Sequence, residues 1–141
     1  MARVTFIVGL CASGKSHLLG EMLKKSSSSY KDEGFIGEKF NENYEILKKS
    51  LQNEKDYIIV EIGFYLEQNR KIIIDKLKAD VPGVEIIWKC FENDIEKANK
   101  NISNRKNKSD VKGHKDINSR ISPIYTFPDN AEILSIVTID S

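Results

Sequence analysis

Residues 9–16 read Gly-Leu-Cys-Ala-Ser-Gly-Lys-Ser, a match to G-x-x-x-x-G-K-[ST], and they stand directly between a strand-like run and a helix-like one. Val4, Thr5, Phe6, Ile7 and Val8 are apolar or β-branched throughout, the pattern of a strand covered on both faces. Leu18, Leu19, Met22 and Leu23 then recur at helical spacing. A glycine-rich turn in that context directs successive backbone N–H groups inward as an anion nest, and the helix that follows adds its positive end. Gly9, Leu10, Cys11, Ala12, Ser13 and Gly14 are therefore expected to wrap phosphate. Lys15 is expected to reach the β and γ phosphates, and Ser16 to give its hydroxyl to a Mg²⁺ that bridges them. The loop predicts a nucleoside triphosphate, ATP with Mg²⁺, as ligand.

The rest of the chain repeats the alternation of strand and helix. Residues 34–40 form a short strand candidate after the serine run 26–29, which reads as a flexible connection, and residues 42–53 a second helix. Residues 57–62 are a buried strand broken by Gly63, and residues 67–79 a third helix stopped by Val81, Pro82 and Gly83. A strand over 84–90, a helix capped by Asn93 or Asp94 and a last strand over 133–139 complete the series. Strands separated by helices of this length imply βαβ units. The expected fold is α/β, a three-layer α/β/α P-loop fold with a parallel sheet of about five strands. The 141 residues suit one domain, 1–141. The longest apolar runs fall far short of a membrane span and no leader-like segment precedes the first strand, which points to a cytoplasmic protein. Cys11 and Cys90 have neither disulfide nor metal-ligand spacing.

Net charge is +1, but its distribution is uneven. Between positions 97 and 120 lie eight Lys or Arg and two Asp, giving +6 there and −5 elsewhere. Beside a phosphate site, such a segment suits a lid over about 104–120 that closes on a polyanion. Glu61, at the end of the apolar run 57–62, is the candidate second acid near the metal, through a water or by orienting the acceptor. Asn107, Lys108, Ser109 and Asp110 spell N-K-x-D, and Asp80, Val81, Pro82 and Gly83 spell D-x-x-G, as in GTPases. Neither follows a buried strand as those motifs require, so a GTPase is set aside.

The loop, the acid-bearing strand and the basic stretch before the last strand together resemble the P-loop kinases of the adenylate and polynucleotide kinase type, over nearly the whole chain. The resemblance implies that lid arginines contact the transferred phosphoryl group, a role that falls to Arg105 and then Arg120. It places adenine near Tyr125, and it makes an acid just after the second strand the acceptor of the attacking hydroxyl's proton, here Glu38. Arg70 is the corresponding candidate for binding an acceptor's phosphate. Ala12 departs from the glycine usual at its place. The implied activity is transfer of the γ-phosphoryl of ATP to a hydroxyl or phosphate of a nucleotide, nucleic acid or small metabolite, with a nucleotide-gated binding module as the alternative.

Overall fold

The structure is a computed structural model that describes residues 2–105 and 110–138. Five strands, β1 (Arg3–Val8), β2 (Ser29–Asp32), β3 (Tyr57–Val60), β4 (Glu85–Phe91) and β5 (Glu132–Leu134), form one sheet in the order β2-β3-β1-β4-β5. Every pairing is parallel, with Val4 opposite Tyr57 and Ile86, and Phe91 opposite Leu134. Among the described residues five helices connect them: α1 (Lys15–Lys25), α2 (Phe40–Gln52), α3 (Glu67–Asp80), α4 (Ile95–Asn104) and α5 (Val111–Ile121). The architecture is the three-layer α/β/α arrangement expected, and its parallel strands place all their C-terminal ends on one edge.

The apolar strands sit at the centre because they can be covered on both faces. Val4, Phe6, Ile7 and Val8 of β1 and all of β3 are buried, and Leu47 and Leu51 of α2, with Ile73 and Leu77 of α3, join the same core. Phe6 stacks on Trp88 at 4.2 Å between centroids, and Phe64 meets both rings edge-on. Asp94 caps α4, its carboxylate accepting from the Lys97 N–H at 3.1 Å.

Three expectations are corrected. The second strand is Ser29–Asp32, not 34–40, and so begins within the serine run. It is an edge strand, three of its four residues exposed, and pairing with β3 rather than apolar burial defines it. The last strand ends at Leu134, with residues 135–138 irregular. The basic segment is helical over Val111–Ile121, where Asn118 and Ile121 turn inward. Of the N-K-x-D match, residues 107–109 lie outside the described residues. Asp80, in the other GTPase-like match, ends α3 and accepts a hydrogen bond from the Tyr44 hydroxyl.

Candidate functional site

The loop leaves β1 at the centre of the sheet edge and turns into α1. Ala12 and Gly14 have φ of 64° and 117°, so alternate residues lie in the left-handed region and fold the chain into a nest. That conformation explains the glycine usual at position 12; alanine accepts it at a cost of about 1–2 kcal/mol. Gly9 is fixed by space instead, since a Cβ there would lie 2.3 Å from Ser13 Oγ and 3.1 Å from Phe91.

Lys15 folds back across the loop, its ammonium donating to the Gly9 and Leu10 carbonyls at 2.8 Å each. Part of its side chain is exposed, but the ammonium is enclosed. Burial lowers its pKa to about 8, against the opposing influence of Cys11, Asp32, Glu33 and Glu61. Ser13 Oγ is buried and has no hydrogen-bond partner among the described residues. A poorly solvated cation and an unpaired hydroxyl in a nest of N–H groups are what a phosphate oxygen would satisfy.

The cradle opens into a cavity of about 640 Å³ bounded by residues 12–18, Phe91 and Asn101, and on the far side by Leu134, Ser135 and Val137. The Glu92 carboxylate positions this far wall, accepting from the Ile136 N–H at 2.6 Å and from Lys97 at 3.1 Å. Glu61 lies at the end of β3, the strand beside β1, and is buried. Its Oε1 accepts from the Phe35 N–H at 3.0 Å. Burial raises its pKa, opposed chiefly by that hydrogen bond and aided by Glu33. Burial pushes the Cys11 thiol up, and Lys15 and then Arg105, at the C-terminal end of α4, act electrostatically against that rise.

The fold follows from this geometry and from comparison. No protein-family model and no curated protein matches the chain. Among solved structures, a gluconokinase from Sinorhizobium meliloti 1021 superimposes with a TM-score of 0.63 and 13% identity, covering 96% of this chain and 83% of its own. An uncharacterized protein from Eubacterium ventriosum gives 0.60 at 11% identity over 96% and 90%. Kti12 of Chaetomium thermophilum, solved in complex with ADP-AlF3, gives 0.53 at 15% identity over 94% and 88%. The fold is that of the P-loop kinases.

Several site expectations are revised by the geometry. Glu38 is exposed in the turn before α2; the acids at the end of the second strand are Asp32 and Glu33, and both act electrostatically on Lys15. Arg70 is buried and donates to the Phe64 carbonyl at 2.9 Å and to the Thr126 carbonyl and hydroxyl at 3.2 Å each, so it is a strut rather than a ligand for an acceptor. Tyr125 is a core aromatic whose hydroxyl donates to the Phe91 carbonyl at 3.2 Å, and it does not line the cavity; Leu134, Ser135 and Val137 stand there instead. Arg120 is exposed on the last turn of α5. Asn101 and Asn118, which touch the loop backbone directly, were not expected from sequence: asparagine within a polar, basic run carries no pattern that announces burial.

Proposed function

We propose that the chain is an ATP-dependent phosphotransferase that acts as a single kinase-like domain, with a short basic lid over about 104–120. The observation that carries this reading is one continuous cavity running from the phosphate cradle, with Lys15 enclosed in it, to the wall after β5. It suits a triphosphate at one end and a base against Phe91, Leu134 and Val137 at the other.

Ser16 and, through water, Glu61 would hold Mg²⁺, and among the described residues no group of three His, Cys, Asp or Glu side chains could hold a metal by itself. When bound with the nucleotide, the ion would neutralise charge on the β and γ phosphates. Lys15 leaves its two carbonyls and turns to the same oxygens, and Arg105 approaches from the lid side. The acceptor oxygen forms a bond to Pγ as the bond from Pγ to the β,γ-bridging oxygen breaks. That bond's electron pair stays on ADP. A hydroxyl acceptor must release a proton late in this step, and we assign its uptake to Asp32, which takes the place first given to Glu38.

The test is transfer of labelled γ-phosphate from ATP and Mg²⁺ to nucleosides, nucleotides, 5′-hydroxyl oligonucleotides and small hydroxylated metabolites, beside a Lys15→Ala control. Label on one acceptor, absent from the control, is the expected result. ATP binding with transfer to none would favour a nucleotide-gated binding module.

A further inference from the structure

The carbonyls of residues 9–12 in the phosphate loop are each held by a side chain. Lys15 takes those of Gly9 and Leu10. The Cys11 carbonyl accepts from Asn118 Nδ2 at 3.1 Å, while Asn118 Oδ1 accepts from the Cys11 N–H at 2.8 Å, so one carboxamide grips both polar atoms of one residue. The Ala12 carbonyl accepts from Asn101 Nδ2 at 3.1 Å, and the same group donates to the Val137 carbonyl at 2.9 Å. Both asparagines are buried, Asn118 completely, and a further bond to Asn99 Oδ1 at 3.1 Å fixes the Asn118 amide from α4. A carbonyl turned into the cradle would repel a polyanion, and left-handed Ala12 is itself one of the two gripped positions, next to Cys11.

We infer that Asn118 and Asn101 are positioning residues for nucleotide binding. Asn118 of α5 orients the Cys11 backbone so that the cradle is formed before phosphate arrives. Asn101 of α4 couples that cradle to the base-side wall at Val137. Both α4 and α5 are thereby tied to the loop. The inference rests on the reading of the cavity as a nucleotide site.

The Asn118 carboxamide accepts from and donates to the Cys11 backbone at once, through two different atoms. Asn118→Asp keeps the shape, loses the donor and sets a carboxylate against the Cys11 carbonyl; Asn118→Ala removes the grip without adding charge. Calorimetric titration of wild type, both Asn118 variants and Asn101→Ala with Mg²⁺–ATP, Mg²⁺–tripolyphosphate and adenosine separates the roles, with a thermal melt to confirm folding. In folded Asn118 variants, the Kd for ATP and for tripolyphosphate should rise together by about tenfold or more, with adenosine unchanged. Asn101→Ala should weaken adenosine as well, because it releases the base-side wall. Unchanged ATP binding in both Asn118 variants, or an equal loss of adenosine and ATP, would overturn the assignment while leaving the nucleotide site intact. Failure of the wild type to bind ATP would remove the assignment together with the reading it rests on.

Discussion

Replacing Arg70 by Met keeps the length of an aliphatic stem and removes the guanidinium. Three acceptors then lose their donor. The Phe64 carbonyl belongs to a fully buried residue and has no route to water, whereas the Thr126 carbonyl and hydroxyl are on an exposed residue and can be resolvated. A stranded buried acceptor costs about 1–3 kcal/mol, and a lost hydrogen bond to a charged donor about 1.5–3 kcal/mol. Burial of the guanidinium is itself unfavourable, lowering the Arg70 pKa, and its removal returns part of that cost. The net loss is about 3 kcal/mol. For 141 residues the unfolding entropy is ~0.3 kcal/mol per kelvin, so Tm should fall by about 10 °C. Differential scanning calorimetry reads this directly, and titration at a temperature where the variant is folded should give an ATP affinity within about twofold of wild type. A variant that melts within 2 °C or so of wild type while its KM for an acceptor rises tenfold would refute the strut and return Arg70 to the acceptor site.

Three further outcomes are expected. Because burial holds Lys15 near a pKa of about 8, an incoming polyphosphate raises it, and ATP binding at pH 8–9 should take up a fraction of a proton, read from titration heats in buffers of different ionisation enthalpy; proton release would contradict it. The same depressed value means the unfolded chain binds more protons between about pH 8 and the ordinary lysine value of 10.5, so this lysine's contribution to stability rises with pH across that window in urea titrations without nucleotide. Gly9→Ala should cost about 1–3 kcal/mol through contact with Ser13 Oγ and the Phe91 Cβ, seen as a lower urea midpoint, and Ser13→Gly should recover part of it.

What could be read from the sequence was whatever burial writes into residue type. β1, β3, β4 and α3 emerge because runs such as Tyr57–Val60 are covered on both faces, and the loop emerges because its spacing is dictated by phosphate. β2 escaped notice because an edge strand reading Ser-Tyr-Lys-Asp owes its conformation to its neighbour. That misplacement moved the position after the second strand by six residues, from Asp32 to Glu38. α5 escaped because its buried positions are Asn118 and Ile121, an amide beside one apolar residue, with Ile117 only partly covered. Arg70 and Tyr125 were misjudged for the opposite reason: cationic and phenolic side chains near a phosphate site suggest ligand contact, and only the three-dimensional path of residues 122–127 reveals that their polar ends are used internally.

Those internal uses bear on the site all the same. The segment 122–127 crosses the C-terminal edge of the sheet on its way to β5. Thr126 fastens it to the turn after β3, its N–H and its hydroxyl both donating to the Tyr65 carbonyl at 3.0 and 2.8 Å, and Arg70 clamps the same two pieces. Tyr125 fastens it to the end of β4 through the Phe91 carbonyl. Phe91 in turn packs against Gly9 and Gly14, so close that a Cβ on either would meet its ring within 3.2–3.4 Å. β3 and β4 are the two neighbours of β1, and the stitched segment holds their ends at fixed height on either side of the phosphate loop. With Asn101 of α4 and Asn118 of α5 gripping the loop, the cradle is braced from the sheet edge and from these two helices. A phosphate nest with a strained alanine in place of glycine needs such bracing, since the conformation that Ala12 resists by itself must be imposed by what surrounds it.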